Sequence, residues 1–455
     1  MKLKEKNTDE HYRSTKNPCR LCTPFGACMA FNGIAGCVPF IHGSQGCATY
    51  IRRYLIGHFR EPVDIACSNF AESNTVFGGL DNLVAGLDNV ISQYNPKMIG
   101  ICTTCLAETI GDDVSMFLNE YKKNRPAELL PELVHVSTAS YCGSYTDGFR
   151  KAVRATVEAL AVQTKEHKGI NVFPPILSPE DLRYLKEIFS DFKIDAMILP
   201  DYSDSFDGAV WEKYESNIEY GTPIEQIRSS GSARATIEFN CVLDGEQSAG
   251  NFLLKTFSTP TYELPVPISI TQTDRLFNLL AKISGRTIPQ KHSTERGRLI
   301  DAYIDGHKYV FGKKAVIYGE QDMVVSLAAF LAEIGMVPAL CASGDHSGRL
   351  AEAIRNQIPN IADDIIVLEN VDFIDIEEAA RKVNPDILIG NSNGYKLQRA
   401  LNSPLVRVGL PIHDRIGAAR ILHIGYRGAQ QLFDRIVNTF IAEQQDKCPV
   451  GYTHI

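Results

Sequence analysis

An α/β protein built on parallel sheets is the fold class this sequence predicts, and three observations carry the prediction. From Phe77 to Tyr94 an amphipathic stretch runs into Asn95-Pro96 and then straight into the apolar run Met98–Cys102, which ends at Thr103-Thr104. That order of helix, tight turn, strand and polar loop is the α/β pattern, with function gathered at the carboxyl ends of strands. From Lys314 to Gly390 the alternation recurs in series, enough βα repeats for a doubly wound parallel sheet. At 455 residues the chain exceeds one core, and its length suggests about three domains of roughly 150 residues.

Residues 1–16 are polar and read as a poorly ordered arm. A short strand is expected around Cys37–Phe40. A helix follows at Ala48–His58, with Tyr50, Ile51, Tyr54 and Leu55 on one side and Arg52 and Arg53 on the other. The helix Phe77–Tyr94 carries Leu80, Leu83, Val84, Leu87, Val90 and Ile91 at three-to-four spacing, and Pro96 ends it. Tyr145–Thr164 reads as a further helix and 165–169 as a linker. The next unit has strand Ile170–Phe173, helix Pro179–Phe192 and strand Ala196–Pro200. A long loop, Asp201–Ser230, then carries Asp201, Asp204, Asp207, Trp211 and Tyr214. Elements at Arg234–Phe239, Ala249–Thr256 and Tyr262–Pro267 lead to a helix at Thr271–Gly285. The last unit alternates strands Lys314–Tyr318, Met336–Ala342, Ile365–Leu368 and Ile387–Gly390 with helices Asp322–Gly335, Ser347–Gln357 and Asp375–Val383. It closes on the helix Ala429–Gln444. The expected division is 1–165, 166–298 and 299–455. Asn95-Pro96-Lys97-Met98-Ile99-Gly100 is echoed by Asn384-Pro385-Asp386-Ile387-Leu388-Ile389-Gly390, one βα motif used twice.

Composition is that of a globular chain: 44% hydrophobic and 22% charged, with net charge −8 and no long basic run. Nucleic acid and anionic membranes are disfavoured as partners. No apolar run reaches the ~18–20 residues that span a bilayer, and the charged start Met1–Asn7 lacks a following apolar segment. A cytoplasmic location is expected, where twelve cysteines are not a disulfide framework.

Eight of the twelve cysteines lie in the first 105 residues. Cys22, Cys47 and Cys105 stand beside Gly, Pro or Thr, where tight turns aim side chains at a shared point. They read as thiolate ligands of an iron–sulfur cluster, because cluster iron is soft and prefers sulfur. Three cysteines from one chain suit a cluster shared across a subunit interface. Buried cysteines are also common and inert, and that plainer reading is adopted for Cys28, Cys37, Cys67, Cys142, Cys241, Cys341 and Cys448. For the three candidates, spacing alone leaves both readings open.

Cys19/Cys22 and Cys102/Cys105 have CxxC spacing, so a four-cysteine zinc site competes, but 79 residues separate the pairs. A dithiol redox pair would need a helix start after its own strand, and Cys102 lies on the strand. Gly306–Lys314 imitates a phosphate loop, with its glycines too far apart, Lys314 in place of the Ser/Thr, and the strand after the motif. ATP hydrolysis by this chain is therefore not expected. Gly390–Gly394 is turn chemistry. His413, Asp414 and Arg415, and His423, lie near strand ends and read first as hydrogen-bonded structural groups.

Several of these stretches carry a resemblance. Cys22-Thr23-Pro24-Phe25-Gly26-Ala27, His42-Gly43-Ser44-Gln45-Gly46-Cys47, Val76-Phe77-Gly78-Gly79 and Thr103–Asp113 are similar to the beta-type subunits of the nitrogenase component 1 family. So are Ile389-Gly390-Asn391-Ser392 and Arg407–Arg415, in the same order along nearly the whole chain. The resemblance implies three Rossmann-like domains and an α2β2 assembly with a homologous alpha-type subunit. It also implies an ATP-dependent iron protein that delivers electrons across the alpha–beta interface. Carried over by position, Cys22, Cys47 and Cys105 match the beta-side ligands of the eight-iron P-cluster, and Ser140 matches the serine that joins it when oxidised. The active-site metallocofactor belongs to the alpha-type partner, so no catalytic residue is expected here. Gly425-Tyr426-Arg427-Gly428 and Arg296–Tyr309 resemble the N-type subunit of the scaffold that matures iron–molybdenum cofactor. Expected, then, is a scaffold subunit with an interfacial P-cluster-like or 4Fe–4S cluster; the alternative is the beta subunit of a nitrogenase or nitrogenase-like reductase.

Overall fold

The computed structural model describes residues 19–164, 169–210 and 220–450. The polar arm 1–16, most of the linker at 165–169, and the loop residues Trp211 and Tyr214 lie outside the described residues. The described chain is mixed α/β with three parallel sheets flanked by helices.

The first sheet contains β1 (Cys37–His42), β2 (Ala66–Cys67), β3 (Met98–Thr103) and β4 (Glu132–Val136), in the order β2-β1-β3-β4. Every residue of the central strands β1 and β3 is buried, so both faces are covered by helices, as parallel sheets require. The edge strands β2 and β4 have no counterpart among the expected elements. They are short or half-buried and lack a continuous apolar run, so only their neighbours define them.

The second sheet is β5 (Ile170–Phe173), β6 (Ala196–Ile198), β7 (Ala235–Phe239) and β8 (Thr261–Leu264), ordered β6-β5-β7-β8. The third is β9 (Lys314–Tyr318), β10 (Val337–Ala342), β11 (Ile366–Leu368), β12 (Ile387–Gly390) and β13 (Leu405–Arg407), ordered β11-β10-β9-β12-β13. That order reverses direction about β9, which is the doubly wound topology.

The repeated Asn-Pro motif has a structural cause. Asn95 and Asn384 each end a helix in the left-handed region (φ 44° and 49°), and the chain passes through Pro into β3 and β12. Asparagine tolerates that conformation because its short polar side chain bonds locally. The helix expected from Phe77 instead begins at Leu80. Gly78, at φ +83°, breaks it from a short turn Asn74–Phe77 and leaves Phe77 exposed.

The Gly306–Lys314 stretch is explained the same way. Gly306 sits inside the continuous helix Gln290–Val310, where a Cβ would lie 2.5 Å from Phe433 of the last helix, Gly425–Lys447. It is a close-packing glycine, and Gly312 (φ +73°) turns the chain into β9. A cut at 298/299 falls within that same helix.

Arg150, on the helix Tyr145–Leu160, joins the sheets by pairing with the buried Asp322 at the start of the helix after β9. Asp322 also accepts the Cys241 N–H, at 2.6 Å, from the loop after β7. Among the described residues no helix is long and apolar enough to cross a membrane.

A candidate cluster site at the carboxyl edge of the first sheet

Cys22, Cys47, Cys105 and Ser140 come from four separate stretches. Cys22 is the N-cap of the helix Thr23–Phe31. Cys47 lies in the first turn of the helix Gln45–Phe59, which follows β1. Cys105 opens the helix Cys105–Ile110, directly after β3. Ser140 begins a short turn after β4. The three thiols thus stand at helix N-termini.

Ser140 ties the group together. Its backbone N–H donates to Cys105 Sγ at 3.2 Å, and its Oγ accepts the N–H of Thr23, the residue next to Cys22, at 3.3 Å. The turn that presents it is pinned to β3, since Thr138 donates through N–H to Thr103 Oγ1 (2.9 Å) and through its hydroxyl to Thr103 O (2.6 Å). Burial pushes the Cys22 thiol up to about 12; the Phe25 N–H opposes this, and the nearby Cys47 and Cys28 sulfurs add repulsion. Burial also raises Cys47, with further repulsion from Cys105 and Cys67. A soft metal held here would be bound by these sulfurs as thiolates, its charge taking the place of their protons.

The loops carrying Cys47 and Cys105 are built against each other. Gly43, at φ +153°, is forced to be glycine twice over, because a Cβ there would lie 2.0 Å from Thr104 Oγ1. The buried His42 Nε2 meets Asp112 Oδ2 at 2.9 Å, and Asp112 also accepts the Gly79 N–H at 3.1 Å. Glu108 Oε1 accepts both Thr103 Oγ1 (2.5 Å) and Ser137 Oγ (2.6 Å). The runs His42–Cys47 and Thr103–Asp113 therefore hold the positions of the thiols. Sequence reasoning placed Ser140 by resemblance alone; the contacts of Ser137, Glu108 and Asp112 have no signature in spacing.

The zinc alternative does not assemble. Cys19 is buried in a cluster with Val316, Tyr318 and Leu340 of the third sheet, and Cys102 Sγ lies in the first core, 4.0 Å from Cys28 Sγ. Among the described residues no three His, Cys, Asp or Glu side chains surround a single metal ion. The donor set suits soft iron: one sulfur per arm, with Cys105 exposed and Cys22 and Cys47 partly so.

Other singled-out residues have structural partners. Asp201 pairs with Lys186 at 2.6 Å, and Asp207 with Arg183 and Arg420. His423 Nδ1 contacts the buried Asp181 at 2.8 Å, and Arg407 forks onto Asp414.

Comparison with known proteins agrees with this architecture. The family model for nitrogenase component 1 type oxidoreductases matches residues 22–441. The chain is 35% identical over 437 residues to the nitrogenase molybdenum-iron protein beta chain of Methanothermobacter thermautotrophicus, covering 94% of each. It is 32% identical to the nitrogenase iron-molybdenum cofactor biosynthesis protein NifN of Bradyrhizobium diazoefficiens, covering 94% of this chain and 90% of that one. A solved structure described as nitrogenase Cp1 at pH 6.5 superposes with a TM-score of 0.93 at 32% identity, over 98% of both chains. With three parallel sheets in this order and a cysteine-lined edge on the first, the chain belongs to the nitrogenase component 1 family as a beta-type subunit.

Proposed function

We propose that Cys22, Cys47 and Cys105 hold one side of an iron–sulfur cluster whose other side belongs to a homologous alpha-type partner, and that the subunit relays electrons during assembly of iron–molybdenum cofactor. The observation that carries the cluster reading is the bracing of Cys105 Sγ and the Cys22 turn by one residue, Ser140. When bound, the cluster supplies one-electron chemistry. The chain's own part is to hold three thiolates at helix N-termini and to keep the Ser140 hydroxyl beside them. His42 and Asp112 fix the loop through which Cys47 is presented.

Val76 and Phe77 support the proposed electron donor, an ATP-dependent iron protein. Both are exposed, at 75% and 88%, and Gly79 ties their turn to Asp112 and so to the Cys47 loop. The assembly role, as against substrate reduction, is supported by the two stretches that resemble the scaffold subunit. They meet at one carboxylate: Arg296 forks onto Asp274, which also accepts the Tyr426 hydroxyl at 2.5 Å.

The test is anaerobic co-purification with the alpha-type partner, followed by iron, sulfide and molybdenum analysis and transfer of cofactor to cofactor-free nitrogenase. Transfer without substrate reduction supports the assembly role. Reduction of dinitrogen or acetylene with the iron protein and ATP makes the chain a reductase subunit instead. A complex free of iron overturns both.

A further inference from the structure

The chain has an open groove of about 910 Å³ far along the sequence from Cys22, Cys47 and Cys105, between the edge strand β13, the helix Tyr395–Leu401 and the last turns of Gly425–Lys447. Its lining carries Arg399, Arg407, Arg415, Arg435 and Lys447 against two carboxylates, Glu443 and Asp446. Two of the cations are already used: Arg407 forks onto Asp414, and Lys447 pairs with Glu443 at 2.6 Å. Arg415 shares the same Asp414, at 3.6 Å.

Arg435 is different. Among the described residues its Nη1 reaches only the Arg407 carbonyl, at 3.4 Å, and its Nη2 is shut off from water with no hydrogen-bond partner. No carboxylate among the described residues forms an ion pair with it. The acid that acts on it electrostatically is Asp181, whose oxygens are taken by His423 and by the His423 and Ile424 N–H groups. Arg399 is exposed on the groove's rim and likewise has no acidic partner among the described residues. A largely buried cation without a counter-charge is costly, and proteins pair such charges or supply a ligand for them.

We infer that this groove is a binding site for a small multiply charged oxyanion, a dicarboxylate or a phosphate, drawn there by the uncompensated charges of Arg435 and Arg399 in its lining. The remaining volume leaves room for more than the anionic group itself. The inference is independent of the cluster assignment, because Cys22, Cys47 and Cys105 are not among the residues that line the groove.

The test is calorimetric titration of the full-length chain, purified with its partner, using inorganic phosphate and malonate separately at low ionic strength. Saturable binding of either is expected, and whichever binds names the source of the anion. Arg435→Met should weaken it by about tenfold or more, the loss of one charge-assisted pair. Arg399→Ala should weaken it less. Arg435→Met should melt no lower than the wild type, since it removes an uncompensated buried charge. If it fails to fold, Arg399→Ala carries the test alone. Absence of saturable binding by both anions, or unchanged affinity in the folded variant, overturns the inference.

Discussion

Gly26→Ala is the substitution on which the geometry of the cluster edge can be tested most directly. The helix Thr23–Phe31 is buried at every residue and crosses Tyr145–Leu160 at Gly26 and Gly148. A Cβ on Gly26 would lie 1.7 Å from the Tyr145 carbonyl oxygen and 2.8 Å from the Phe149 nitrogen. Both are backbone atoms that no rotamer change can move. Ordinary contact needs about 3.5 Å, so the helices must part by about 1.5–2 Å. Overpacking of a core costs about 1–3 kcal/mol, and more where only backbone can yield. Alanine recovers about 1 kcal/mol through its better helix propensity. With only backbone to yield, the cost is about 3–5 kcal/mol and a net loss of about 2–4 kcal/mol follows, which is roughly 4–16 °C in melting temperature for a cooperative unit of 150–250 residues. Parting the helices also draws Cys22 away from Ser140, breaking the 3.3 Å Thr23–Ser140 bond, so bound iron should fall as well. Thermal unfolding and iron analysis of the anaerobically purified complex read both effects. A variant that melts with the wild type and keeps its iron would show that this crossing does not position Cys22. Gly297→Ala is the control: it lies in Gln290–Val310 with nothing within 4 Å of the new methyl group, and should gain about 0.4–1 kcal/mol.

Three further outcomes are expected. Cys47→Ala should lose iron, sulfide and the visible absorption of the cluster while remaining folded; full cluster content would reject the ligand assignment. Asp112→Ala leaves the buried His42 Nε2 and the Gly79 N–H without their acceptor, at about 1–3 kcal/mol for each group, and denaturant unfolding measures the loss. The third concerns pH. Burial and the neighbouring Asp322 raise the Glu320 carboxyl from 4.5 to about 8, against the pull of Arg150. The native state therefore holds a proton that the unfolded state releases, so the Glu320 contribution is whole below pH 4.5 and is lost as pH rises toward 8. Glu320→Gln should flatten the fall in stability across that window, and an unchanged pH profile would exclude Glu320 as its source.

Much of the fold is legible before any coordinates. Buried parallel strands need apolar runs, and β1, β3, β9 and β12 have them. Asn95 and Asn384 announce helix ends because the left-handed cap is a local property of the residue. The turn residues beside Cys22, Cys47 and Cys105 mark them as candidates in the sequence itself, while spacing alone leaves the inert reading open. Other features are not local. Edge strands β2, β4 and β13 become strands only because a neighbour offers hydrogen bonds, so no periodicity marks them.

The sequence by itself determined the class of fold, the family, and which residue types could hold iron, because periodicity, capping and motif order are written within short windows. Tertiary structure alone decided how they meet. Ser140 reaches Thr23 across 117 positions, Arg150 reaches Asp322 across 172, and Cys19 leaves its CxxC partner for the third sheet's core. Arg435 gains its meaning only from the groove around it. Such contacts are set by the packing of whole sheets and helices, and no local preference of the chain encodes them.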